Sequence, residues 1–112
     1  MSQKSEWFDA AAESELRPGA CRTVDADGVF IAVFNVDGHY YAIEDVCSHE
    51  EEILSTGTFE GCEITCPRHG ARFSVITGAA LSEPAYEPVA TFPVRVQGGW
   101  VQVRNERIYV TA

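Results

Sequence analysis

Short runs of β-branched and aromatic residues, separated by turn residues, extend along most of the chain. Two pairs of these runs are separated by only two residues: 29–36 and 39–43 by Asp37-Gly38, and 94–96 and 100–103 by Gly98-Gly99. Two-residue turns of this composition join antiparallel strands into hairpins. The pattern therefore predicts an all-β fold, an antiparallel sandwich or barrel.

Helical periodicity is weak throughout, and residues 10–16 are the one stretch for which we expect either a helical turn or a strand extension. The 112 residues, of which 46% are hydrophobic, suffice for one domain with a modest core, so we expect a single domain over residues 1–112. The longest apolar run, residues 29–34, is too short to span a membrane. We expect no membrane partner and a cytoplasmic location.

The formal net charge is −9, and Glu50, Glu51 and Glu52 form an acidic run. A strongly acidic protein is repelled by phosphate backbones, so a nucleic-acid partner is disfavoured. An acidic surface promotes solubility, and its summed field can also steer the protein toward basic patches on partner proteins.

Two short motifs supply the chain's candidate metal chemistry. Cys47-Ser48-His49 is followed, after sixteen residues, by Cys66-Pro67-Arg68-His69, so that two thiolates and two imidazoles are available. This donor set suits zinc or a Rieske [2Fe-2S] centre, in which two His replace two Cys on one iron. A plant-type cluster is excluded because no Cys-x4-Cys-x2-Cys run exists. The motifs interrupt the strand pattern between about residues 46 and 85, which predicts a metal-binding subdomain with two ligand loops inserted into the β base.

The remaining Cys and His residues have simpler interpretations. Cys21 and Cys62 are predicted to be small core residues, with Cys62 on the same face of a strand as Ile64. His39 directly follows the Asp37-Gly38 turn and is predicted to be a strand residue, not a ligand.

The metal motifs and the residues after them resemble the Rieske family, in particular the ferredoxins of bacterial oxygenase systems. The resemblance covers roughly residues 38–104 and includes, besides the ligand motifs, Gly70-Ala71-Arg72-Phe73-Ser74, Thr77-Gly78-Ala79-Ala80-Leu81, Pro84 and 88–94. It implies the Rieske fold, with one [2Fe-2S] cluster as cofactor. Cys47 and Cys66 would bind one iron and His49 and His69 the other, and a stiff loop containing Pro84 and Pro88 would form a third cover.

The chain departs from the high-potential members of that family in two respects. Glu52 and Arg68 stand where those members have the two Cys of a disulfide, and Ala71 and Phe73 stand where they have a Ser and a Tyr. Neither Ala nor Phe can donate a hydrogen bond to cluster sulfur, so the charge of the reduced cluster is less well compensated. We therefore expect a low-potential Rieske ferredoxin.

The chain's three His residues limit the possible functions. With two of them bound to the cluster, the remaining His39 cannot build the two-His, one-carboxylate iron site of a terminal oxygenase. No G-x-G-x-x-G turn is present for a reductase. We therefore expect a carrier, not an enzyme. It would be a monomer that passes single electrons from a flavin reductase to the terminal oxygenase of an aromatic-ring dioxygenase. Alternatives are the small Rieske-like subunit of a nitrite reductase, or a zinc-stabilised binding module.

Overall fold

Three antiparallel sheets make up the fold in the computed structural model, which describes residues 6–46, 53–67, 70–83 and 87–109. The first sheet has strand order β1-β10-β9, the second β2-β3-β4-β8 and the third β5-β6-β7. The strands are Trp7–Ala12 (β1), Cys21–Ala26 (β2), Val29–Val36 (β3), His39–Glu44 (β4), Thr58–Glu60 (β5), Glu63–Thr65 (β6), Arg72–Ser74 (β7), Thr91–Phe92 (β8), Val94–Gln97 (β9) and Trp100–Arg104 (β10). The all-β prediction is confirmed.

The predicted hairpins form because their turn residues adopt the left-handed conformation. Asp37 and Gly38 have φ angles of 52° and 91°, and Gly98 and Gly99 have φ angles of 62° and 83°. Positive φ at both central residues defines the type I′ turn, whose twist matches that of the two strands it joins. Both predictions are confirmed, and His39 is the first residue of β4, as expected.

Strand β3 is buried along most of its length, and each of its faces contacts a different core. Ile31 and Val33 pack with the buried residues of the first sheet, including Val101 and Val103. The alternate residues Ala32 and Phe34 pack with Leu54, Ile64, Cys66, Ala71 and Phe73. Because successive side chains of a strand point to opposite faces, one strand can join the two cores. The third sheet is thereby held against the second.

The stretch 10–16 contains both of the predicted alternatives. Residues 10–12 complete β1, and Glu13–Glu15 form a 3-10 helix. A second 3-10 helix, Leu54–Thr56, precedes β5. Within the part of the chain that the structure describes, no helix has the length and apolar character needed to cross a membrane.

A short segment after β10 returns to the second sheet. Thr91 of β8 and Ile108 exchange two backbone hydrogen bonds, with N···O distances of 2.7 and 2.9 Å. The Asn105 side chain donates to the carbonyl of Ala26 at 2.9 Å. The Arg107 guanidinium pairs with Glu44 of β4 at 3.1 Å. This C-terminal segment, residues 105–108, is therefore held at the edge of the sheet.

Candidate metal centre

Of the four predicted ligands, the structure describes Cys66. Its side chain is 2% exposed and lies directly after β6, among the residues of the core that includes Leu54 and Phe73. Cys47 and His49, together with the acidic run Glu50 to Glu52, lie outside the described residues, as do Arg68 and His69. The assignment of the four ligands therefore stays a prediction.

The second ligand loop, residues 66–70, is closed at its base by backbone hydrogen bonds. The N–H of Cys66 donates to the carbonyl of Ala71 at 2.7 Å, and the N–H of Gly70 donates to the carbonyl of Cys66 at 3.2 Å. Gly70 has a φ angle of 76°, which most residues with a side chain avoid. The glycine therefore allows the chain to reverse directly after the predicted ligand pair and to enter β7.

A carboxylate joins the described residues on either side of the first ligand loop, residues 47–52. Asp45 precedes the loop, and its Oδ1 accepts a hydrogen bond from the N–H of Ser55 at 2.7 Å. Its Oδ2 accepts from the Ser55 hydroxyl at 2.6 Å. Asp45 is 4% exposed. The chain segments before and after residues 47–52 are thus joined by the buried side chain of Asp45.

The same carboxylate attaches the first ligand loop to the second sheet. Oδ2 of Asp45 accepts a further hydrogen bond, from the Thr23 hydroxyl of β2 at 2.8 Å, and the Asp45 N–H donates to the carbonyl of Phe30 in β3 at 2.8 Å. Burial raises the pKa of the nearby Cys21 thiol, and the negative charge of Asp45 raises it further, while Arg22 opposes the shift. Asp45 is therefore hydrogen-bonded to both β2 and β3.

A close backbone contact sets the distance between the bases of the two loops. Gly57 follows the second 3-10 helix, and a Cβ atom added to it would lie 1.8 Å from the carbonyl oxygen of Thr65, the residue before Cys66. Only a residue without a side chain permits this approach. Leu54 and Cys66 belong to the same core. The end of the first loop and the start of the second are therefore packed directly on each other.

The two residues predicted to lower the reduction potential are both buried. Ala71 and Phe73 are each 0% exposed and pack in the same core as Cys66. Ala71 closes the second ligand loop through its carbonyl. Neither side chain carries a hydrogen-bond donor.

The segment before β8 lies against the third sheet, next to the turn after β7. The N–H of Val89 donates to the carbonyl of Gly78 at 2.8 Å, and a Cβ on Gly78 would lie 2.2 Å from the carbonyl oxygen of Val89. Pro88 is half-buried there, whereas Pro84 lies outside the described residues. Pro93 separates β8 from β9, so the chain passes from the second sheet to the first at a residue that cannot donate a ladder hydrogen bond.

Cys21 and Cys62 are only half-buried, though both pack against the core that contains Cys66. The strand predicted to include Cys62 begins one residue later, at Glu63, because Gly61 and Cys62 form the turn after β5. Sequence reasoning missed the roles of Asp45 and Gly57. The one local signal for either role is the position of Asp45, directly after β4 and two residues before Cys47.

Comparison with known proteins identifies the class to which this fold and site belong. The Rieske [2Fe-2S] domain family matches residues 6–93, and the chain belongs to that family. It is 38% identical over 103 residues to the ferredoxin component of the naphthalene 1,2-dioxygenase system of Pseudomonas aeruginosa, a match that covers 92% of this chain and 97% of that protein.

Two solved structures are closely similar. The ferredoxin of carbazole 1,9a-dioxygenase from Nocardioides aromaticivorans IC177 has a TM-score of 0.85 and 35% identity, over 89% of this chain and 98% of its own. A chain in the complex of reduced oxygenase and oxidized ferredoxin in carbazole 1,9a-dioxygenase has a TM-score of 0.87 and 39% identity, over 93% and 97% of the two chains. The protein is thus a Rieske-type ferredoxin, an electron carrier and not itself an enzyme, and its cofactor is one [2Fe-2S] cluster.

The described residues fit this cofactor. The Cys66 thiol lies in an apolar environment at the base of a short loop, where a thiolate bound to iron would be protected from solvent. The resemblance to Rieske ferredoxins is confirmed, and a zinc module is disfavoured.

Proposed function

We propose that the protein carries single electrons from a flavin-dependent reductase to the terminal oxygenase of an aromatic-ring dioxygenase system. The names of its relatives support this proposal, since they are ferredoxin components of naphthalene and carbazole dioxygenases, and one of them is found in complex with an oxygenase. The chain acts as one domain over residues 1–112, in the cytoplasm and as a monomer. The Rieske cluster takes up and releases one electron at a time.

Cys47 and Cys66 are proposed to bind one iron and His49 and His69 the other. The observation that carries this assignment is the packing of Gly57 on Thr65, which places the bases of the two ligand loops side by side. Cys66 stands at one of these bases, and the hydrogen bonds from Asp45 to Ser55 close the other. A cluster shared by both loops needs this proximity.

His49 and His69 are proposed to lie where the electron leaves. An imidazole ring at a loop tip provides a short route from iron to the protein surface. The acidic run at Glu50 to Glu52 follows the first ligand motif directly, so its charge would act on partners that approach this part of the molecule.

The ligand assignment is tested by His49→Cys and His69→Cys. Each variant replaces a neutral ligand with an anionic thiolate, so the cluster should fail to assemble or its reduction potential should fall. His39→Cys is the matched control, because His39 is an exposed residue of β4. The readouts are the visible spectrum, the electron paramagnetic resonance spectrum of the reduced protein, and the potential. A wild-type spectrum and potential in either ligand variant would remove that residue from the ligand set.

The partner assignment is tested by reconstitution. The purified ferredoxin, a flavin reductase and a terminal oxygenase from an aromatic dioxygenase system are mixed with NADH, and product formation is followed with and without the ferredoxin. We expect turnover to require the ferredoxin. If the dithionite-reduced ferredoxin fails to reduce the oxygenase while its cluster is intact, the proposed partner is wrong.

A further inference from the structure

We propose that Asp45 is a positioning residue for the cluster: it holds the first ligand loop closed and supplies a fixed negative charge that lowers the reduction potential. This inference rests on the proposed ligand assignment, because Asp45 stands two residues before Cys47. The position of the carboxylate in the described structure carries the inference.

The carboxylate joins three segments that are distant in sequence. It belongs to the segment before the first ligand loop, and it accepts hydrogen bonds from Ser55 after the loop and from Thr23 of β2. Backbone groups alone do not make this connection in the described residues. The backbone N–H of Asp45 donates instead to the carbonyl of Phe30 in β3. Without the side chain, the direct bond between the two ends of the loop would be lost.

The described groups around the Asp45 carboxylate are hydrogen-bond donors. The three hydrogen bonds that the described residues make with it are donated to it, two by hydroxyl groups and one by a backbone N–H. A charge buried at 4% exposure is screened less by solvent than a surface charge.

A fixed negative charge near the cluster opposes the addition of an electron. Reduction adds one unit of negative charge, so a neighbouring carboxylate destabilises the reduced form more than the oxidised form. Asp45 therefore acts in the same direction as the missing donors at Ala71 and Phe73, and all three lower the potential.

Two substitutions separate the charge from the loop closure. Asp45→Asn keeps the shape, and its amide can donate to the hydroxyls of Thr23 and Ser55 while its oxygen still accepts from the Ser55 N–H. We expect the potential to shift in the positive direction, with cluster retention close to that of the wild type. Asp45→Ala removes both the charge and the closure, so we also expect the cluster to be lost about tenfold faster in the presence of an iron chelator.

Ser55→Ala provides a milder variant in case Asp45→Ala does not fold, and it should lose the cluster a few-fold faster than the wild type at an almost unchanged potential. The control is Asp9→Asn, since Asp9 is exposed on the first sheet and hydrogen-bonded to Gln102. It removes one carboxylate and should leave both the potential and the rate of cluster loss as in the wild type.

The readouts are the midpoint potential, the electron paramagnetic resonance line shape and the rate of bleaching in chelator. A wild-type rate of cluster loss in both Asp45→Ala and Ser55→Ala would overturn the loop-closing role, and an unchanged potential in Asp45→Asn would overturn the electrostatic role. If the wild-type protein itself shows a Rieske spectrum, either result contradicts this inference alone. A failure of the ligand assignment would instead appear in the His49 and His69 variants.

Discussion

Replacing Gly57 with alanine should separate the two ligand loops. The added Cβ would lie 1.8 Å from the carbonyl oxygen of Thr65, whereas side-chain carbons are essentially never found closer than 3.0 Å to such an atom. The two segments must therefore move apart by about 1.2 Å, the difference between these distances. Both atoms that collide are attached to the backbone, so no rotamer change can relieve the contact.

The displacement is large by the standards of metal coordination, where ligand distances vary by only about 0.2 Å. Because Thr65 directly precedes Cys66, a shift of about 1 Å is transmitted to a proposed ligand. We expect Gly57→Ala to bind much less cluster per chain than the wild type. We also expect overpacking to lower the free energy of unfolding by about 1–3 kcal/mol.

Iron and sulfide content, the visible spectrum and urea denaturation followed by circular dichroism measure these effects. Gly98→Ala is the control, since Gly98 has a φ angle of 62° and open space around it. It should cost about 1–2 kcal/mol through backbone strain and leave the cluster content unchanged. Full cluster content in Gly57→Ala, together with wild-type stability, would refute the idea that this contact sets the spacing of the loops.

Three further predictions concern the potential, partner binding and thiol reactivity. Ala71→Ser should raise the reduction potential, because a hydroxyl next to the second ligand loop can donate to cluster sulfur; an equal or lower potential on electrochemistry would contradict the low-potential explanation. Electron transfer to the oxygenase should slow about tenfold between 0.1 and 1 M salt in stopped-flow measurements, and charge reversal at Glu50 to Glu52 should slow it at low salt. If neither change alters the rate, the acidic surface serves solubility and not partner binding. Iodoacetamide should alkylate Cys21 more slowly in the folded protein than in urea at pH 8.5, because burial and Asp45 raise its pKa, and Asp45→Asn should narrow the difference.

The parts of the fold that could be predicted from the sequence are those with a local cause. The hairpin at Asp37-Gly38 follows from two residues that tolerate positive φ between two apolar runs. The motif that begins at Cys47 likewise indicates metal chemistry through residue type and spacing alone, although its ligands lie outside the described residues and remain predicted.

The contacts that shape the site depend instead on residues distant in sequence. Thr23 and Asp45 are 22 residues apart and meet only after β2, β3 and β4 have paired. Gly57 has a negative φ angle of −86°, so its backbone conformation gives no reason for glycine. The reason is the carbonyl of Thr65 on a neighbouring strand. A single sequence carries no signal for a steric contact of this kind.

The C-terminal segment has a consequence for how the protein behaves at high concentration. Strand β8 is the last strand of the second sheet, and an uncovered strand at such a position offers unpaired N–H and C=O groups to other molecules. Ile108 occupies two of these groups on Thr91. A ferredoxin must collide with its partners repeatedly and separate each time. Self-association through an open strand would lower the concentration of ferredoxin that is free to bind them. By pairing with its own edge, the chain limits the contacts through which two copies could adhere by strand addition.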